Sequence, residues 1–285
     1  MENLNSIPKA DLHIHTIFSD GSVSPSEIVQ QGANLKLRAL GITDHDCVEG
    51  INPALEAGVR FGVEIIPGVE LSSAIGETEV HILGYYIDWR DQVFRQQLGK
   101  MQDFRQQRLE EMVFKLRGIG LPLDLNRVRE IAGNGAVGRL HLAQALQEAG
   151  YISGYADAFS RYLGIGKPAY VGKFPLSPKQ AIEMILSVKG IPVLAHPASL
   201  KRDELIPEFI EYGLKGIEAY HPDCPPSLSL HYEELVRKYN LVVTGGSDYH
   251  GPAKPNVYLG KVVVPYTVVE KLKALQVPSV ISQSR

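Results

Sequence analysis

Short apolar runs that end on a histidine or a carboxylate recur along this chain, and stretches with helical spacing separate them. Ala10, Leu12 and Ile14 alternate with Asp11, His13 and His15 in the first such run. Residues 37–43 lead into Asp44 and His45, 64–72 carries Glu70, and 79–86 carries His81. After a long gap the pattern resumes: 191–195 precedes His196, 216–220 precedes His221, and 241–244 lies just before Asp248 and His250. Apolar runs of this length between helices are the mark of strands covered on both faces, so an α/β fold of βα units is expected. Helix signals agree, since Ser24 offers a cap with Pro25 at the first helical position, and residues 51–61 continue with helical spacing.

The gap has a different pattern. Phe94, Leu98, Met101, Phe104, Leu109, Met112, Val113 and Leu116 recur at helical spacing, which predicts one long amphipathic helix or two joined ones over 91–117. Further helices are predicted over 126–132, 139–149 and 156–163. Residues 104–170 are therefore expected to form a helical insertion, with 8–103 and 171–285 making the main domain. In that second part, helices are predicted over 177–189, 203–212, 228–239 and 268–275.

Composition sets bounds on function. A chain of 285 residues can bury a full core without disulfides, and Cys47 and Cys224 are far apart with no CxxC pair. A thiolate zinc site is thereby disfavoured and a reducing compartment expected. No run approaches the ~18 apolar residues of a membrane span, and residues 1–9 have no leader-like character, so a cytoplasmic protein without membrane contact is expected. The net charge of −3 argues against binding of long duplex nucleic acid. Nothing in the sequence fixes an oligomeric state.

The chemistry is expected where the strands end. In a closed βα barrel those ends share one rim, so side chains distant in sequence converge on a single pocket. His13 and His15 are two apart on a strand and project from the same face, as does Asp11. Gly21 lets the chain turn so that Asp20 approaches them, and Glu70 is placed to bridge neighbouring cations whose charges repel. Asp11 and Asp44 suit a supporting role, accepting from the second ring nitrogen of a ligating histidine. A single histidine near a strand end is usually an ordinary hydrogen-bonded residue. Six of nine histidines at the same end of successive strands favour metal binding instead.

The motifs Asp11-Leu12-His13-Ile14-His15, Thr43-Asp44-His45-Asp46, Ala195-His196-Pro197 and Ser247-Asp248-Tyr249-His250-Gly251 resemble, in order, those of the polymerase-and-histidinol-phosphatase (PHP) family of metal-dependent phosphoesterases. Gly138-Arg139-Leu140-His141, Lys167-Pro168-Ala169-Tyr170-Val171 and Glu218-Ala219-Tyr220-His221-Pro222-Asp223 resemble the branch with a helical insertion, which acts on nucleotides. That branch holds nucleoside 3',5'-bisphosphate phosphatases and 5'-to-3' exoribonucleases. The resemblance implies a distorted (β/α)7 TIM-like barrel and two or three divalent ions, most often manganese, with iron or zinc also used. Its ligands would be His13, His15, Asp20, His45, Glu70, His81, His196, Asp248 and His250. Cys47 departs from the threonine expected after Asp46, and is read as a small packed side chain.

The reaction implied is hydrolysis of a nucleotide phosphomonoester, or 5'-to-3' hydrolysis of short RNA. Its nucleophile would be a hydroxide bridging two metals, with no protein nucleophile, since coordination lowers the pKa of water from ~15.7 to near 7. Arg139 is expected to clamp phosphate with His141 as a second donor, and His221 to bind phosphate or protonate the leaving oxygen. Arg105, Arg108, Arg117, Arg127 and Arg129 are interleaved with acids and read as a solvated helix surface, or else as a groove for a second phosphate. His231 is given no role. The rival readings are histidinol-phosphate phosphatase and a non-catalytic, metal-stabilised accessory module.

Overall fold

The computed structural model describes residues 7–132, 138–172, 176–254 and 256–276. Among them eight strands form one sheet: β1 (Lys9–Ile14), β2 (Ala39–Ile42), β3 (Glu64–Ile75), β4 (Thr78–Tyr85), β5 (Ile191–Leu194), β6 (Gly216–Tyr220), β7 (Val242–Gly245) and β8 (Val264–Pro265). Their spatial order is β7-β6-β5-β4-β3-β2-β1-β8. The sheet curls until its ends meet: Ile14 bridges Tyr249, and the His15 N–H donates to the Tyr249 carbonyl at 2.9 Å. The expected barrel is therefore present, nearly closed by the segment that follows β7. Closure leaves no room at Gly246, where an added Cβ would lie 2.3 Å from the His13 nitrogen.

Two strands run the other way, the short β8, which is antiparallel to β1, and β4. β1, β2 and β3 are parallel, as are β5, β6 and β7, but β4 is antiparallel to both β3 and β5. Only Gly76 and Glu77 separate β3 from β4, and Gly76 has a φ of +57°. A two-residue loop makes a hairpin, whereas a parallel crossover needs a dozen residues or more. The expectation that every candidate ligand follows a strand's C-terminal end is corrected here. Glu70 lies midway along β3 and His81 sits in the first half of the reversed β4. Reversal brings that half to the same rim.

Helices pack on the sheet through apolar faces such as Ile28, Ala54, Ile182 and Phe209. Pro25–Asn34 and Pro178–Ser187 both begin with the serine cap, proline and reciprocal capping box that their sequences offer. The helix Gln92–Gly118 is continuous, with Asp91 accepting the Phe94 N–H at its start. Its first half gives Phe94, Leu98 and Met101 to the barrel core. Its second half gives Leu109, Met112 and Leu116 to a separate core with Val128, Leu142, Leu146 and Leu163. That second core also joins Leu125–Ala132, Arg139–Glu148 and a short helix Tyr155–Ala158, which runs into a π turn at Phe159–Leu163 rather than continuing as the helix expected. Among the described residues no helix is long and apolar enough to cross a membrane.

Candidate active site

Glu70 lies at the centre of the rim. Its Oε1 is 2.9 Å from both His81 Nδ1 and His196 Nε2, and its Oε2 is 3.1 Å from His13 Nε2, 3.2 Å from His15 Nε2 and 3.3 Å from His45 Nδ1. Asp248 Oδ1 adds contacts of 3.2 Å to His15 Nε2 and 3.5 Å to His13 Nε2. Asp20 approaches His250 Nε2 at 3.2 Å and His15 Nδ1 at 3.4 Å. All nine candidate ligands thus gather in one place, from strands and loops that span most of the chain. His196 and Asp248 hold left-handed backbone, with φ of +27° and +51°, a strained state that tends to accumulate where function fixes a side chain.

These atoms do not satisfy one another. His13 Nε2 and His15 Nε2 face each other at 3.1 Å, and the buried His15 Nδ1 and His45 Nδ1 have no hydrogen-bond partner. Buried polar atoms are normally paired, so a cation suits this arrangement. Three groups have donor atoms close enough to share an ion: His15, Asp20, His45 and His250; His13, His15 and Asp248; His45, Glu70 and His81. Burial works against charge here, yet opposite charges prevail at several groups. Burial tends to raise the Glu70 carboxyl, but His45, His13 and His81 hold it well below the usual range. Burial also tends to lower His13, but Glu218, Glu70 and Asp248 raise it well above its usual value. His45 goes the other way, pushed by burial to about 3.

Asp11 and Asp44 do not take the role expected of them. Asp11 accepts the N–H groups of Ser247 and Gly260 at 2.8 and 2.9 Å, and Asp44 accepts the Thr16 N–H and hydroxyl at 2.7 and 2.8 Å and the Ser19 hydroxyl. Both pin the backbone of neighbouring loops, because those amides lie nearer to them than any imidazole. The carboxylate that orients a ring is Glu218, whose Oε1 meets His13 Nδ1 at 2.9 Å while Oε2 accepts the His196 N–H at 2.9 Å. Its signal in the sequence was a lone carboxylate between Ile217 and Ala219 in an otherwise apolar strand.

A cavity of about 570 Å³ opens above the cluster. Asp20, His45, His81 and His250 lie along its floor side; Arg105, Arg108, Arg139, His141 and Lys254 also line it. Arg139 and His141 line it from the start of the helix Arg139–Glu148. His141 Nδ1 accepts the Gly138 N–H at 3.0 Å. Arg105 and Arg108 correct the expectation of a solvated surface, because they fall at helical spacing from Met101 on the stripe that faces the barrel. Arg117, Arg127 and Arg129 do face outward, with Arg127 paired to Glu148 and Glu130 and Arg129 to Glu110.

Arg108 Nη2 is buried without a partner, and burial together with the charge of Arg139 pulls its pKa down to about 10. An anion in the cavity relieves both effects. His221 is not among the residues that line this cavity. It is 6% exposed, its ring packs against His13 and His196, and its Nε2 lies 3.4 Å from Asp248 Oδ2. Lys254, which sequence reasoning passed over, approaches Asp248 Oδ2 at 2.7 Å.

Comparison with known proteins supports this picture. The PHP domain family matches residues 11–131. The chain is 34% identical over 270 residues to the 5'-3' exoribonuclease Rnm of Escherichia coli K12, covering 92% of this chain and 91% of that protein. It is 31% identical over 245 residues to phosphoribosyl 1,2-cyclic phosphate 1,2-diphosphodiesterase of Eggerthella lenta, covering 85% and 94%. Identity to the 3',5'-nucleoside bisphosphate phosphatase of Chromobacterium violaceum is 30% over 254 residues, covering 86% and 88%. Among solved structures, one assigned to the metal-dependent phosphoesterases, from Bifidobacterium adolescentis, aligns with a TM-score of 0.83 at 28% identity, covering 94% of this chain and 96% of that one.

Proposed function

The chain belongs to the PHP-domain family of metal-dependent phosphoesterases, and from that footing we propose that its substrate is a phosphate ester of a nucleotide. The reaction is either removal of the 3'-phosphate of a nucleoside 3',5'-bisphosphate or stepwise 5'-to-3' hydrolysis of short RNA. One observation carries this reading: the histidine and carboxylate cluster opens onto a cavity whose other wall presents guanidinium groups, one with a buried, unpaired N–H. A substrate with a second phosphate, or with a phosphodiester backbone, supplies the anion that this wall lacks. Histidinol phosphate is the weaker candidate, because its ammonium group would face Arg105, Arg108 and Arg139.

Divalent ions would be held by His13, His15, Asp20, His45, Glu70, His81, His196, Asp248 and His250. We propose manganese, the ion that the family resemblance implies, with iron or zinc, which an imidazole-rich set also suits, as alternatives. When bound, such ions supply Lewis acidity toward phosphate oxygens and activate water at neutral pH. The protein's own groups do the rest. Glu70, in contact with five imidazoles, offsets the mutual repulsion of neighbouring cations. Glu218 fixes the ring plane and tautomer of His13. Arg108 and Arg139 orient phosphate oxygens through planar forks, and negative charge that spreads over those oxygens strengthens the contact in the transition state.

The insertion, proposed as residues 104–170 between barrel segments 8–103 and 171–285, brings Arg105, Arg108, Arg139 and His141 to this wall. The test uses purified protein loaded with manganese. Phosphate release from adenosine 3',5'-bisphosphate, or mononucleotide release from 5'-phosphorylated oligoribonucleotides, is expected; turnover of histidinol phosphate is not. Metal-bound protein that turns over neither nucleotide substrate overturns the reading, and inertness toward all three points to the accessory module.

A further inference from the structure

We propose that Arg105 is a positioning residue for the metal floor, acting through Asp46 to fix the loop that carries His45. The proposal rests on the metal reading given above. Asp46 directly follows His45, is 1% exposed, and has a φ of +50°. A non-glycine residue persists in that region only where its surroundings hold it there, and four contacts do so. Its N–H donates to the Glu70 carbonyl at 3.0 Å, and its Oδ1 accepts the Ser72 N–H at 2.8 Å. Its carbonyl accepts Gln102 Nε2 at 2.8 Å, and its Oδ2 accepts Arg105 Nη2.

The first two contacts come from β3, the strand that carries Glu70. The other two come from the helix Gln92–Gly118, which leads into the insertion. Arg105 also donates to Ser72 Oγ at 3.2 Å, so one guanidinium ties the His45 loop and β3 to the helix together. Without that grip the left-handed conformation of Asp46 has less to sustain it. Relaxation turns the peptide next to His45 and displaces its ring.

His45 belongs to two of the three candidate ion groups, with Asp20 and His250 in one and with Glu70 and His81 in the other, but not to the group of His13, His15 and Asp248. A weakened grip therefore has an uneven effect: ions that need His45 bind less tightly, and the His13–His15–Asp248 ion is spared. A residue that only touched substrate would leave all ions alone.

Metal-stripped full-length protein titrated with manganese, without substrate, and followed by the electron paramagnetic resonance of free Mn2+ tests this. Arg105→Met is expected to weaken part of the bound ions by about tenfold or more while leaving the remainder at wild-type affinity, a size typical of lost support around a ligand. Arg105→Lys, which keeps the charge, is expected to recover part of the loss. If Arg105→Met titrates as wild type and only KM rises, Arg105 is a substrate contact and the proposal fails. Should circular dichroism show Arg105→Met unfolded, Gln102→Ala removes only the bond to the Asp46 carbonyl. Weakening of the same ions by about 2- to 12-fold, the loss of one ordinary hydrogen bond, supports the proposal, and an unchanged titration overturns it. Wild-type protein that binds no manganese defeats the metal reading itself, a separate and recognisable outcome.

Discussion

Glu218 supports two proposed ligands at once, the His13 ring and the backbone of His196, although it comes from a strand that contributes none of the nine. Glu218→Gln keeps the volume and loses the charge. It is expected to weaken manganese binding by about 10–100-fold while thermal unfolding of the metal-free protein stays cooperative; an unchanged affinity would remove Glu218 from the site. Protonation gives a second prediction. In the metal-free protein burial tends to lower His15, but bonds to Asp248 and Glu70 raise it to about 10, and His13 is likewise raised. The His15 ring is therefore protonated at neutral pH and must lose a proton to coordinate. Manganese binding then releases protons at pH 7 and weakens as pH falls. Calorimetry in two buffers of different ionisation enthalpy reads the release, and identical heats in both would contradict it.

At the level of elements, the hairpin of β3 and β4 is what sets this barrel apart from a simple repeat. β3 carries Glu70 to the rim and continues past it, where Ala74 donates to Leu176 and Tyr170 reaches Glu77. The hairpin thus touches residues on both sides of 173–175, while the helix Gln92–Gly118 lines the cavity through Met101, Arg105 and Arg108. Closure at the other side depends on Gly246 packing against His13. Gly246→Ala forces strand β1 away from the segment after β7, and a loss of about 2–4 kcal/mol in denaturant unfolding is expected, in the range of severe overpacking or backbone strain. Wild-type stability in that variant would mean the barrel is looser at this seam than its geometry implies.

Across the whole molecule, a chain with net charge −3 concentrates arginines around one cavity. Arg108 is held there without a full set of partners, burial and Arg139 both acting against its charge. Arg108→Met is expected to leave the metal-free protein at least as stable, since it removes a buried, incompletely paired cation. The same change removes a charged hydrogen bond to substrate, about 1.5–3 kcal/mol, so KM for a bisphosphate rises by roughly 10- to 150-fold with manganese stoichiometry intact. Lower stability with an unchanged KM would show that Arg108 serves the fold instead.

What the sequence determined by itself is the local part of this account. Periodicity distinguished strands from helices, the four motifs held six of the nine candidate ligands, and a turn and two strands added Asp20, Glu70 and His81, because apolar spacing and side-chain chemistry are properties of short stretches. The strands expected over 64–72 and 79–86 left six residues between them; the structure narrows that gap to two, and the hairpin so formed, with its effect on His81, emerged only with the closed sheet. Tertiary structure alone decided which groups meet. It gave the His13 ring to Glu218 rather than to Asp11, buried His221 beside Asp248, and turned Arg105 and Arg108 inward while Arg127 and Arg129 stayed outside. Such pairings join residues far apart in the chain, and their partners are fixed by how the barrel closes and how the helices of the second core pack beside it.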